Sequence, residues 1–137
     1  MEGRVVGQTL ALRVRAQAAS LARIRTVLTS FLAERGLGED QQHNAVLVVD
    51  ELAANAIEHG STDDDEVEVT VTLRPCSLLI RILDPARTDA APTRREPDEL
   101  GESGRGMLIV GQLATWTERL RRGRREVTAR LPLLPWA

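Results

Sequence analysis

The chain has 137 residues, 42% of them apolar and 28% charged, with net charge −2 and a pI of about 5.7. This is enough chain for one buried core, and the composition is too evenly mixed for disorder. The only aromatic residues are Phe31, Trp116 and Trp136; with the slight acidic balance this excludes a base-stacking or phosphodiester-tracking nucleic-acid platform.

All 18 basic residues are Arg. A P-loop lysine, a Schiff-base lysine and a kinase-type strand lysine are therefore excluded. Any phosphate must be met by Arg, backbone N–H groups, helix termini or metal. The lone Cys76 excludes an intramolecular disulfide and a cysteine metal cluster. No apolar stretch suits a signal peptide or a membrane span, so a cytoplasmic protein with no membrane partner is expected, folded as a single domain over 1–137.

In chain order, Thr9 to Val14 alternates as a strand does; at a sheet edge it could pair across a homodimer. Ala18 to Glu34 carries the apolar stripe Leu21, Ile24, Leu28 and Leu32, which predicts a helix ended by Gly36 and Gly38. Asp40 is the predicted N-cap of a second helix that runs to about His59 and closes at Gly60. After an acidic turn, Val67, Val69, Val71 and Leu73 alternate with Glu68, Thr70 and Thr72 as a half-buried strand. Arg74-Pro75 turns the chain into a more apolar strand, Ser77 to Leu83, predicted to pair with it as an antiparallel hairpin.

From Pro85 to Glu102 the apolar period is lost among three prolines, and a loop is predicted whose length marks it as either functional or mobile. Gly104-Arg105-Gly106 then opens a third helix, Met107 to about Ala114. Two last strands, Thr115 to Leu120 and Glu126 to Leu131, turn through Arg121-Arg122-Gly123. Strands grouped in hairpins predict an α+β fold: a two-layer sandwich with helices on one face of a mixed, mostly antiparallel sheet.

The chemistry concentrates in Asp50 to Gly60. Glu51, Asn55 and His59 stand at four-residue steps, which on a helix keeps them on one face with a drift of only about 80°. Asp50 points about 100° away from Glu51. A carboxylate and a carboxamide one turn apart can hold a hard divalent cation and orient a hydroxyl or water beside it. Asp84 ends an apolar strand, where a carboxylate is costly to bury without donors, although Asp-Pro also opens ordinary turns. Gly104 and Gly106 permit close backbone approach at a helix N-terminus, or simply a tight turn into the helix. Arg105 is the nearby cation and Ser103 a candidate cap.

The run Glu51-Leu52-x-x-Asn55-Ala56-x-x-His59-Gly60 resembles the N-box of the GHKL (Bergerat-fold) ATPase and kinase superfamily, in the wording of its anti-sigma-factor serine/threonine kinase branch. Gly104 to Val110 resembles that family's second glycine box, and Asp84 stands where the family keeps its adenine-reading aspartate. The resemblance covers Leu10 to Leu131 in order and spacing. It implies the Bergerat two-layer fold, with ATP bound between the second and third helices and over the sheet. It implies that Asn55 gives its amide oxygen to Mg²⁺, that Glu51 is the general base for a seryl hydroxyl or water, and that Asp84 accepts the adenine amine. Ala86, Gly104, Arg105, Gly106 and Met107 would complete the nucleotide site, Arg105 reaching the terminal phosphate, under a lid loop at about 85–103. His59 is expected to cap or orient the helix end.

The chain departs from the family pattern at Ala86, where glycine is usual, and at Gly123-Arg124-Arg125, where a Gly-Gly-Lys or Gly-Thr element is common. Because Ala does not adopt positive φ cheaply, the backbone path beside adenine is expected to differ. The resemblance implies a regulatory kinase that binds a sigma factor and phosphorylates an anti-anti-sigma (STAS-type) partner, often as a homodimer, without direct nucleic-acid contact. The altered stretch Asp84-Pro85-Ala86-Arg87 favours the alternative, a non-catalytic module of the same fold that binds a sigma factor or its antagonist.

Overall fold

The computed structural model describes residues 1–59, 64–87 and 102–133, with only the backbone described at 86–87 and 102–105. Its elements are β1 (Glu2–Val6), β2 (Thr9–Arg15), α1 (Ala19–Glu34), α2 (Glu39–Glu58), β3 (Glu66–Leu73), β4 (Ser77–Arg87), α3 (Glu102–Leu113), β5 (Thr115–Arg121) and β6 (Arg124–Pro132). The strands form one sheet in the order β1-β2-β3-β4-β6-β5, and each adjacent pair is antiparallel. The expected mixed sheet is thus antiparallel throughout the described residues, because successive strands are joined as hairpins or through helices that return the chain in the opposite sense.

Strand alternation sets the two-layer build. Leu10, Leu12 and Val14 of β2, Val67, Val69 and Val71 of β3, Leu78, Ile80 and Ile82 of β4, and Ala129 and Leu131 of β6 are all buried on the helix side. They meet Ile24, Leu28, Phe31 and Leu32 of α1 and Ala45, Val48, Val49, Leu52, Ala53 and Ala56 of α2. Each large side chain so buried contributes roughly 1.5–3 kcal/mol. The small residues of α2 let this central helix lie close over the sheet. Among the described residues no helix is long and apolar enough to cross a membrane.

Several expectations are corrected. The strand Glu2–Val6 was not foreseen, because all five residues are exposed and carry no alternation. It exists through pairing with β2, from Glu2 opposite Arg13 to Val6 opposite Thr9, across a turn in which Gly7 takes φ 59°. Consequently β2 is an internal strand, paired on both sides, and not an edge. The N-cap of α2 is Gly38 rather than Asp40: its N–H donates to Gln41 Oε1 at 3.2 Å, while Asp40 sits in the first turn, where a carboxylate suits the helix dipole. The close of α1 at Gly36, with φ 80°, is as expected, whereas Gly60 lies outside the described residues.

At the C-terminus of α1, Arg35 donates from Nη2 to the Gly7 carbonyl and from Nε to Gln8 Oε1, both at 2.9 Å, with its guanidinium 3.9 Å over the Phe31 ring. This one side chain ties the helix end to the β1–β2 turn.

Two boundaries around the site also differ. Strand β4 does not stop at Leu83 but continues to Arg87, and α3 begins at Glu102, so Gly104 and Gly106 lie inside the helix instead of opening it. Most of the expected lid, residues 88–101, lies outside the described residues. Between the pairs Leu83–Glu126 and Arg87–Arg124 the register shifts: Asp84, Pro85 and Ala86 stand opposite the single residue Arg125. Pro85 has no N–H for the ladder, which accounts for an irregularity there. Arg124 offsets it from the neighbouring strand, donating from Nε to the Asp84 carbonyl at 2.8 Å and from Nη2 to the Glu66 carbonyl at 3.1 Å.

Candidate functional site

Helix α2 carries Leu52, Asn55, Ala56 and His59 toward the end of β4, where Ile82 and Asp84 form the floor. Met107 of α3 closes one side; Trp116 and Glu118 of β5 and Arg125 and Val127 of β6 form the other. The result is a small cavity of about 70 Å³, apolar along Leu52, Ala56, Ile82 and Val127 and polar at its ends.

Asp84 follows Leu78, Ile80 and Ile82 on the helix side of β4 and is only 5% exposed. Its Oδ2 lies 2.6 Å from His59 Nδ1, so the residue capping α2 also fixes the carboxylate. Its Oδ1 is buried with no hydrogen-bond partner among the described residues. A buried acceptor left unpaired costs about 1–3 kcal/mol, and more when charged, so this oxygen is a place for an incoming donor.

Glu51 lies beyond Asn55 at the α2–α3 contact. Its carboxylate rests against the backbone of Gly106, where an added Cβ would collide with Oε2 and Cδ. Gly106 is therefore required by close approach and not by a left-handed turn. Burial first, then the neighbouring charges of Asp50 and Glu58, push the Glu51 carboxyl above its usual range. One turn on, Asn55 donates from Nδ2 to Met107 Sδ at 3.2 Å. The amide oxygen takes no part in that contact.

Of the residues singled out from sequence, Asn55, Asp84 and Met107 meet around one cavity, and Glu51 meets Gly106 beside it. Gly104 and Arg105 lie on the same first turns of α3, and the Arg105 side chain is outside the described residues. At Ala86 the backbone carries β4 through a register shift. Sequence reasoning missed the His59–Asp84 contact, although the four-residue step from Asn55 already placed His59 on the site's face. It also missed the wall formed by Arg125 and Glu118, whose Nε and Oε1 are 3.3 Å apart; both residues follow the inward-facing alternation of their strands.

The residues present fit an adenine nucleotide. An apolar slot bearing one carboxylate with an unpaired buried oxygen suits a flat heterocycle with an exocyclic amine. Among the described residues no three His, Cys, Asp or Glu side chains converge as a metal cage. A magnesium ion here would share its coordination between Asn55, phosphate oxygens and water, as that ion commonly does.

The profile of the histidine kinase-like ATPase domain matches residues 14–131. No curated protein matches the chain. The matched span runs from the end of β2 to β6 and takes in all the residues that line the cavity. The chain belongs to the family of the histidine kinase-like ATPase domain.

Proposed function

We propose that this protein is an ATP-binding regulator and a protein serine/threonine kinase of the anti-sigma type. The observation that carries the reading is Asp84, buried on the cavity floor with one oxygen held by His59 and the other unpaired. Asp84 accepts the adenine amine, while Leu52, Ala56, Ile82 and Val127 enclose the ring. Asn55 offers its amide oxygen to Mg²⁺, and the start of α3, with Gly104, Arg105, Gly106 and Met107, faces the phosphates. Bound ATP with its magnesium would supply its γ-phosphoryl group to an acceptor hydroxyl, with ADP as the leaving group. Glu51 takes the proton of that hydroxyl; its raised pKa makes it a better base than an ordinary carboxylate. The acceptor is a serine of an anti-anti-sigma protein of the STAS type, and the regulated partner is a sigma factor, bound by a homodimer in the cytoplasm.

A second reading keeps the fold and the partners but drops turnover. The stretch Asp84-Pro85-Ala86 favours it, since Ala86 stands where the family usually has glycine and β4 is interrupted there.

Titration calorimetry with ATP, with and without Mg²⁺, tests the site. The wild-type chain binds ATP only with Mg²⁺, and Asn55→Ala abolishes the heat. Equal affinity in the two proteins removes the site. Phosphate incorporation into a cognate serine substrate then divides the readings: kinase activity appears with the wild type and is lost in Glu51→Gln, whereas tight binding without incorporation leaves the non-catalytic module.

A further inference from the structure

We propose that the face of the sheet turned away from the helices is a docking surface for an acidic segment of a partner protein. This face holds a shallow groove of about 760 Å³, roughly ten times the space of the cavity on the helix side. Six arginines line it (Arg4, Arg13, Arg81, Arg121, Arg122 and Arg124) against three carboxylates, Glu2, Glu68 and Glu126. The groove is thus locally +3 in a chain whose net charge is −2.

The carboxylates are engaged. Glu126 is 2% exposed and takes Arg119 at 2.9 Å and Arg121 at 3.1 Å. Glu68 stands between Arg13 at 3.8 Å and Arg124 at 3.9 Å, and Glu2 is 3.8 Å from Arg13. By contrast, Arg4, Arg81 and Arg122 are exposed and have no carboxylate partner among the described residues.

Register gives the groove its shape. Arg4 lies opposite Ala11, Ala11 opposite Thr70, and Thr70 opposite Arg81. Two free guanidinium groups therefore flank a floor of small side chains, with attachment points three strand spacings or about 14 Å apart. The third free arginine, Arg122, occupies the β5–β6 turn with φ 54° and is followed by Gly123 with φ 77°. Such a turn favours Asn or Gly at the first position, so Arg122 stands there against local preference.

A carboxylate-rich segment suits this row. Guanidinium forks bind carboxylates in pairs, and complementary charge speeds the encounter of two proteins. A nucleic-acid strand suits it less, because no aromatic side chain lines the groove for base stacking. The surface lies across the sheet from the ATP cavity, so it stands or falls independently of the nucleotide reading.

Fluorescence anisotropy with a labelled decaglutamate peptide tests the proposal. The full chain binds the peptide more weakly as salt rises. Combined Arg4→Glu and Arg81→Glu substitution weakens binding at least tenfold, and Arg23→Glu on the exposed side of α1 leaves it unchanged. Both arginines are exposed, and an unaltered circular-dichroism melt confirms that the variant is folded. The proposal is overturned by absent binding, by a double variant that binds like wild type, or by a labelled oligothymidylate that binds as tightly through the same arginines. A wild-type dimer in sedimentation that the double substitution dissolves assigns the face to a second copy of the chain and equally overturns it.

Discussion

His59 and Asp84 join the C-terminal end of α2 to the irregular end of β4 through a 2.6 Å contact between Nδ1 and Oδ2. The pairing is more than a cap. It fixes a carboxylate whose second oxygen is buried without a partner, and so converts a strand-end aspartate into an oriented acceptor.

Replacing Asp84 by Asn is expected to weaken ATP binding by about 10–100-fold, the equivalent of one charge-assisted hydrogen bond. Inosine triphosphate, which lacks the exocyclic amine, should lose far less. His59→Ala should fall between wild type and Asp84→Asn, because it frees the carboxylate without removing it. Calorimetry with both nucleotides checks this; an equal loss for the two bases would separate Asp84 from base recognition.

Gly106 and Glu51 give a second prediction. Gly106→Ala forces the Glu51 carboxylate away from α3 and should cut phosphoryl transfer more than tenfold. Gly111→Ala, on the same helix with open space around it, should leave transfer intact and stabilise the protein by about 0.5–1 kcal/mol through helix propensity. Thermal melts and transfer assays on the two variants form the comparison.

The raised pKa of Glu51 predicts the acid limb of the transfer rate. A base must be deprotonated, so the rate should fall as pH drops through a value above the ordinary carboxylate range. Asp50→Asn or Glu58→Gln removes one neighbouring negative charge and should move that limb to lower pH. The stability effect of Glu51 runs the same way: its protonated form is favoured in the folded state, so its contribution declines as pH rises from the unfolded pKa through the folded one. A limb that stays put in both variants would remove the repulsion from the account.

Glu126 carries the opposite sign. Burial alone would raise its carboxyl, but hydrogen bonds from Arg121 and Arg119 and their charges prevail and hold it below the usual range. Its stabilisation is therefore present above the unfolded pKa and is lost as pH falls through the folded one. Glu126→Gln should cost about 1 kcal/mol at neutral pH, below the usual ~1.5–3 kcal/mol for charged hydrogen bonds because both arginines are at least half exposed, and almost nothing in strong acid. Denaturant melts at the two pH values measure the difference.

Much of the fold was legible in the chain because its signals are local. The apolar stripe of α1, the alternation from Val67 to Leu73, and the i, i+4 placement of Glu51, Asn55 and His59 follow from the geometry of one helix or one strand. The errors fell where local signal is silent. Residues Glu2 to Val6 become a strand only because β2 offers them a partner, and Asp40 yields the cap to Gly38 because the entering backbone is already extended there, with φ −68° and ψ 164°.

By itself the sequence determined the types of the elements from β2 onward, the helix face that carries the chemistry, and the absence of any lysine to meet a phosphate. Only the tertiary structure decided that His59 grips Asp84, that Gly106 makes room for Glu51, that Arg124 mends the break at Pro85, and that the free arginines align across one open face. Those outcomes depend on register between strands and on how closely α2 and α3 approach. Such distances are set by packing residues that stand far apart in the chain, and no local period encodes them.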